Sequence, residues 1–176
     1  NPNTPALALE KLAADQESMV RGSVAENPNT PTSTLEELAD EEWGVRINLA
    51  LNPNTPTSTL EELAADEEWG VRRSLAKNPN TPTLALEKLA TDEDEAVRWE
   101  IASNPNTPTS TLEELAEPKK RSKAGIKMSV YVAKNPNTHA STLEKMMLTF
   151  SKSAWSRHDD QNAVPQSIAR HPNTPA

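Results

Sequence analysis

The sequence predicts an all-α solenoid of about six tandem repeats, each a pair of short helices. Three observations carry this. First, the motif Asn-Pro-Asn-Thr-Pro begins at Asn1, Asn27, Asn52, Asn78 and Asn104 and returns in altered form at Asn135 and His171. The spacings are 26, 25, 26, 26, 31 and 36 residues, and self-similarity at about 20–50 residues marks stacked repeat architectures. Second, apolar residues between the motifs recur three and four apart, the period of a helix with one inner face. Third, only 35% of residues are apolar and 3% aromatic. That is too little for one large round core, but a thin core shared between neighbouring repeats needs less.

The repeats divide as 1–26, 27–51, 52–77, 78–103, 104–134 and 135–170, with a partial repeat at 171–176, as a single array. The chain opens on a repeat boundary without a methionine and ends a few residues into another repeat, so it is expected to be a piece of a longer protein.

Residues 52–77 show how one repeat is built. Asn52-Pro53-Asn54 is a tight turn, because proline presets φ and asparagine side chains bond nearby backbone. Thr55 then suits an N-cap and Pro56 the first helical position, although Ser58 and Glu61 also have capping-box spacing. Leu60, Leu63 and Ala64 lie on one face of the first helix. Asp66 can cap the second helix, with Glu67 and Glu68 in its first turn where the helix dipole favours acids. Val71, Leu75 and Ala76 form its inner face, and Asn78-Pro79 stops it, since the residue before proline avoids helical geometry.

The same slots recur along the chain. First helices carry Leu9, Leu35, Leu60, Leu86, Leu112 and Leu143, followed three residues later by Leu12, Leu38, Leu63, Leu89, Leu115 and Met146. Second helices carry Val20, Val45, Val71, Val97, Met128 and Val164, and four residues on Val24, Leu49, Leu75, Ile101, Val132 and Ile168. Helices of about ten residues are marginal alone in water, so stacking against the next repeat is the stabilising step. A polar pair recurs as well: Asp15, Asp40, Asp66 and Asp92 stand six residues before Arg21, Arg46, Arg72 and Arg98. A fixed acid–base pair predicts a structural ladder along the stack, with each aspartate also capping its helix; an arginine-lined anion groove is the functional alternative.

The pattern Asn-Pro-Asn-Thr-Pro…Leu-x-x-Leu-Ala…Asp-x-x-x-x-Val-Arg-x-x-Leu-Ala, cleanest over 52–76, resembles the leucine-rich repeat variant family. The resemblance implies a relative of the armadillo and HEAT solenoids: a right-handed superhelix of helix pairs, the first often 3₁₀-like. It carries no catalytic residues. Some members are associated with an iron–sulfur segment, but this chain has no cysteine with which to build one. For function it implies a helical scaffold that binds protein.

Repeats five and six depart from the pattern. Twelve residues separate Leu115 from Met128 and seventeen separate Met146 from Val164, against seven between Leu63 and Val71. Both insertions fall between the paired helices, where repeat proteins often place their binding face; a degenerating array end is the alternative. The arginine slot becomes Ser129 and then Pro165, and Thr138 is followed by His139. The first insertion is basic, with Lys119, Lys120, Arg121, Lys123 and then Lys127 as candidate contacts for anions or nucleic acid. Trp43 and Trp69 share a slot that holds Ser18 and Glu95 in neighbouring repeats, and Trp99 stands where other repeats have Gly22, Ile47 and Arg73. Slots this variable are partly exposed. The tryptophans are therefore either interface anchors or lids lying over the seam of their own helix pair.

Other chemistries lack their residues. Without cysteine there is no disulfide or thiolate metal site. His139, His158 and His171 have no ligand spacing, and four unclustered glycines make no phosphate loop. No apolar run approaches membrane-spanning length. No cofactor and no enzymatic activity are expected. Compartment stays open, with the cytoplasm favoured.

Charge is uneven. Residues 1–103 hold 20 acidic and 8 basic side chains, a balance of −12, and residues 104–176 hold 6 and 10, a balance of +4. Three functions from different classes fit these surfaces: a protein-binding scaffold, a head-to-tail self-assembling element, and a nucleic-acid binder through 118–127. The last is disfavoured by the acidic first half and by the absence of interleaved aromatics.

Overall fold

The computed structural model describes residues 1–117, 123–152 and 163–174. Twelve α-helices stand among the described residues, arranged as repeated pairs. The chain divides into two compact units, 1–89 and 90–176. Unit 1 contains α1 (Ala6–Ala13), α2 (Ser18–Glu26), α3 (Thr32–Glu37), α4 (Trp43–Leu51), α5 (Thr57–Leu63), α6 (Trp69–Lys77) and α7 (Thr83–Leu89). Unit 2 contains α8 (Glu95–Ser103), α9 (Thr109–Ala116), α10 (Lys123–Lys134), α11 (Ala140–Lys152) and α12 (Ala163–Ala169). The first helix of each pair is α-helical. Only the continuation of α3, Leu38–Asp40, is a 3₁₀ turn among the described residues, so the 3₁₀ character expected of the first helices is confined to one turn.

Within unit 1 the second helices stack, α2 on α4 and α4 on α6, while α1 meets α3 and α5 meets α7. Within unit 2 the same two rows are α8–α10–α12 and α9–α11. The core lies between the rows. Leu35, Leu49, Leu60, Leu75 and Leu86 fill it in unit 1, and Leu112, Val132, Leu143, Val164 and Ile168 in unit 2. Each such side chain contributes about 1.5–3 kcal/mol by leaving water, which helices this short cannot supply alone. The first repeat is more open than its neighbours: Leu12 is 39% exposed, whereas Leu38 and Leu89 in the same slot are 1% exposed.

The turn motif is the connector. Pro31, Pro56 and Pro108 sit in extended geometry immediately before α3, α5 and α9, so each helix begins one residue later than a proline at its first position would place it. The preceding threonine does not cap that helix. Its hydroxyl reaches back to the carbonyl of the residue six earlier, near the end of the previous helix: Thr30 to Val24 at 2.6 Å, Thr55 to Leu49 at 2.7 Å and Thr138 to Val132 at 2.5 Å. The last carbonyls of a helix lack intrahelical partners; each of these accepts the N–H of the asparagine three residues on, and the buried hydroxyl adds a second donor.

The leading asparagine ties one repeat to the one before. Asn52 Nδ2 donates to the carbonyls of Ala25 at 2.6 Å and Asn27 at 3.0 Å, and Asn135 Nδ2 to those of Ala102 at 2.9 Å and Asn104 at 2.8 Å. Their Oδ1 atoms accept the N–H two residues on, from Asn54 at 2.9 Å and Asn137 at 3.0 Å. At the last turn His171 takes the slot: Nε2 donates to the Asn135 carbonyl at 2.7 Å and Nδ1 accepts from Asn173 N at 3.0 Å. An imidazole carrying its proton on Nε2 reproduces the donor and the acceptor of the amide. The second asparagine adds another rung, Asn80 Nδ2 to Pro53 O at 2.7 Å and Asn137 Nδ2 to Pro105 O at 2.5 Å.

Candidate interaction surface

The loops that lead into the second helices gather charge and aromatic rings. Each aspartate of the recurrent pair folds its own loop. Asp15 Oδ1 accepts from Glu17 N, Asp66 Oδ1 from Glu68 N and Asp92 Oδ1 from Asp94 N, each at 2.9 Å. Glu17 and Glu68 are the capping residues of α2 and α6, and their side chains accept no capping hydrogen bond. The aspartates therefore brace the turn before the helix rather than cap it. Asp94 is different, its side chain accepting from Ala96 N at 2.7 Å as the cap of α8.

The arginines meet these aspartates through the backbone. Arg21 Nη1 donates to the carbonyls of Asp15 at 2.7 Å and Gln16 at 3.0 Å, and Arg72 Nη1 to those of Asp66 at 2.8 Å and Glu67 at 2.9 Å. Arg98 Nη1 binds the Asp92 and Glu93 carbonyls in the same way. Within unit 1 the carboxylate partner comes from the following repeat. Arg46 donates in a fork to Asp66, Nε to Oδ2 at 2.6 Å and Nη2 to Oδ1 at 3.0 Å. Arg21 donates to Glu41 at 2.9 Å and Glu42 at 2.5 Å. Arg21 and Arg46 thus reach carboxylates of the next repeat, while Arg21, Arg72 and Arg98 meet the aspartate six residues earlier through its carbonyl and Arg46 donates to the Glu41 carbonyl at 2.5 Å; the side chain of Asp40 lies outside the described residues. The Arg21 hydrogen bond holds the Glu42 carboxyl below its ordinary pKa, and the Asp66 fork raises that of Arg46.

On the solvent side of this row stand two rings. Trp43 and Trp69 are the first residues of α4 and α6, 58% and 49% exposed. Gly44, beside Trp43, is exposed, with nothing within 4 Å of where a Cβ would lie. Neither ring lies flat over its own helix pair deeply enough to be buried. Trp99 behaves otherwise. It is half-buried, and Lys127 Nζ lies 3.5 Å from its ring centroid and 5.9 Å from that of Tyr131. A cation over an indole face is an attractive contact, so unit 2 joins one candidate anchor to one candidate anion contact. Lys119, Lys120 and Arg121 lie outside the described residues, as does the side chain of Lys123.

Unit 2 also holds a cleft of about 300 Å³ between α10 and α12, lined by Val130, Lys134, Gln166, Arg170 and His171 among others. Its two cations sit at helix C-termini, where they offset the negative ends of the dipoles. Among the described residues no group of His, Asp and Glu has the arrangement to hold a metal ion. No helix there is long and apolar enough to cross a membrane.

No curated protein shows significant similarity to the chain. A solved structure described as a leucine-rich repeat variant with a novel repetitive structural motif superimposes with a TM-score of 0.63 and 25% identity. The match covers 96% of this chain and 62% of that one, so this chain spans less than two thirds of the solved protein's length. The leucine-rich repeat variant family profile matches residues 43–68 and 69–94. Those segments open on Trp43 and Trp69, so the family's unit begins at the second helix and includes the asparagine turn. Two consecutive matches to the family's repeat, inside a helical-repeat fold shared along nearly the whole chain, make this chain similar to leucine-rich repeat variant proteins.

Proposed function

We propose that this chain is a non-enzymatic scaffold that binds a protein partner along the outer edge of unit 1, with Trp43 and Trp69 as anchors. The observation that carries this is the exposure of both rings at one slot of the second helices of adjacent repeats, 58% and 49%. Two large amphipathic rings left half in water are the residue type that dominates interface energetics when covered. Their slot takes serine and glutamate elsewhere in the chain, so the stack itself does not require a ring there.

The test is site-specific photocrosslinking in cells. A photoreactive phenylalanine analogue is placed at Trp43, at Trp69, and at Leu84 as a more exposed apolar control (69% exposed). A common protein captured at 43 and 69 but not at 84 is the expected result. Its affinity, measured with the purified pair, then drops at least 100-fold in Trp43→Ala/Trp69→Ala, since hot-spot truncations cost at least about 2 kcal/mol each. Equal capture at all three positions, or an unchanged affinity, overturns the assignment.

A further inference from the structure

We infer that the occupant of the Trp43–Trp69 edge is a basic segment in extended or polyproline II form, with two lysines or arginines three residues apart. The inference rests on the scaffold assignment above and adds the chemistry of the partner.

Three observations support it. The first is charge. Around the rings, loops 15–17, 41–42 and 66–68 carry seven carboxylates against Arg21, Arg46, Arg72 and Arg73. Asp66 is consumed by Arg46 and the Glu41–Glu42 pair shares Arg21. Glu17, Glu67 and Glu68 are exposed, and the charges of Glu67 and Glu68 add to that of Asp66 on Arg46. The edge keeps an excess of negative charge beside each ring.

The second observation is the chain's own use of tryptophan. In unit 2 Trp99 is capped by the Lys127 ammonium at 3.5 Å, whereas no cation stands over Trp43 or Trp69 among the described residues. An indole face carries negative potential, and carboxylates nearby deepen it. A lysine or arginine is the side chain that satisfies ring and acids together.

The third is spacing. Trp43 and Trp69 open two helices that pack on each other, and packed helices lie about 8–10 Å apart. A polyproline II chain rises about 3.1 Å per residue with three residues per turn, so positions i and i+3 face one side about 9 Å apart. One cation then falls at each ring.

The experiment titrates the full chain with three synthetic peptides of equal length and charge. The first is a proline-rich peptide with arginines at i and i+3, the second has them at i and i+1, and the third has lysines at i and i+3. Indole N–H resonances of Trp43 and Trp69 are followed by NMR. The expected result is shifts at both resonances with the two i, i+3 peptides, at least 10-fold tighter binding than the i, i+1 peptide, and loss of that preference in Trp69→Ala and in Glu67→Gln/Glu68→Gln. Equal binding of all three peptides, or binding indifferent to the two variants, reduces the edge to a general acidic surface and overturns the inference. So does absence of binding at millimolar peptide. Crosslinking separates this failure from that of the scaffold assignment: a partner captured at 43 and 69 through a segment without paired cations sinks the basic-segment inference alone.

Discussion

The two units share one connector and differ in another. The asparagine and threonine bonds of the turn are the same in both. Asn52 and Asn135 each reach two carbonyls of the preceding repeat, and Thr55 and Thr138 each donate to the carbonyl six residues back. The arginine row is not shared in this way. In unit 1 Arg21 and Arg46 link consecutive loops through carboxylates. In unit 2 Arg98 keeps the slot in α8, bound to the Asp92 and Glu93 carbonyls, and the slot then becomes Ser129 in α10 and Pro165 in α12. Ser129 is 1% exposed and its hydroxyl turns back to Gly125 O at 3.0 Å, inside its own helix. Pro165 is the third residue of α12, within the first turn, where a proline costs no helical hydrogen bond. The stack therefore depends on the turn, and the arginines are an addition that repeats with long insertions do without.

The largest effect should come from the shared connector. Asn52→Ala and Asn135→Ala each remove a donor from two carbonyls, stranding that of Ala25 or Ala102 while Asn27 and Asn104 keep the N–H of Thr30 and Thr107, and they release the N–H two residues on. Both are expected to cost about 3 kcal/mol, in the upper range for stranded buried polar groups, and to cost it equally. Urea unfolding followed by circular dichroism measures this. A cost under about 1 kcal/mol at Asn135 would break the claim that one turn holds both units.

The second effect should separate the units. Arg46→Met strands Asp66, whose side chain is 6% exposed, and is expected to cost about 2–4 kcal/mol. Ser129→Ala removes only a hydroxyl that bonds within its own helix, so about 0.5 kcal/mol or less is expected. Similar values for the two would show that the slot matters to the stack whatever fills it.

The arginine row also shows how far the sequence could be read. The helices, the repeat boundaries and the core slots are visible because each is a local pattern repeated several times. The partner of Arg46 is not. In a period near 26 residues, an acid six residues before the arginine and one twenty residues after it occupy the same slot of neighbouring repeats. Spacing cannot choose between Asp40 and Asp66; only the stacked geometry can, and Arg46 takes Asp66. The contact of Lys127 with Trp99 is hidden for a related reason, since its two residues lie in adjacent repeats and on slots that vary. Exposure of Trp43 and Trp69, by contrast, was legible from the serine and glutamate that replace them.

The threonines were legible as important but not in their role. Thr-Pro before a helix has the form of an N-cap, yet the Thr55 hydroxyl adds a second hydrogen bond to the Leu49 carbonyl, which already accepts from Asn52 N. Thr55→Val and Thr138→Val keep shape and remove the donor. Each is expected to cost about 1–1.5 kcal/mol, again equally in the two units, with unfolding midpoints as the readout. Restoration by serine at either site would confirm that the hydroxyl, not the methyl, carries the effect.

The smallest effect concerns acid. Arg21 holds the Glu42 carboxyl below its ordinary pKa, chiefly through their hydrogen bond. A depressed folded-state pKa means that the unfolded chain takes up the proton more readily. The contribution of Glu42 is therefore complete above the ordinary glutamate range and fades as pH falls through that range and below it. Thermal midpoints measured from about pH 6 down to pH 3 should decline less steeply in Arg21→Met than in the native chain, because the variant has already lost the contact that acid removes. Ser129→Ala should leave the slope unchanged, since the Ser129 hydroxyl donates to a backbone carbonyl rather than to a carboxylate. If Arg21→Met declines as steeply as the native protein, the acid sensitivity resides elsewhere, and the arginine row of unit 1 is held by its carbonyl bonds rather than by its charges.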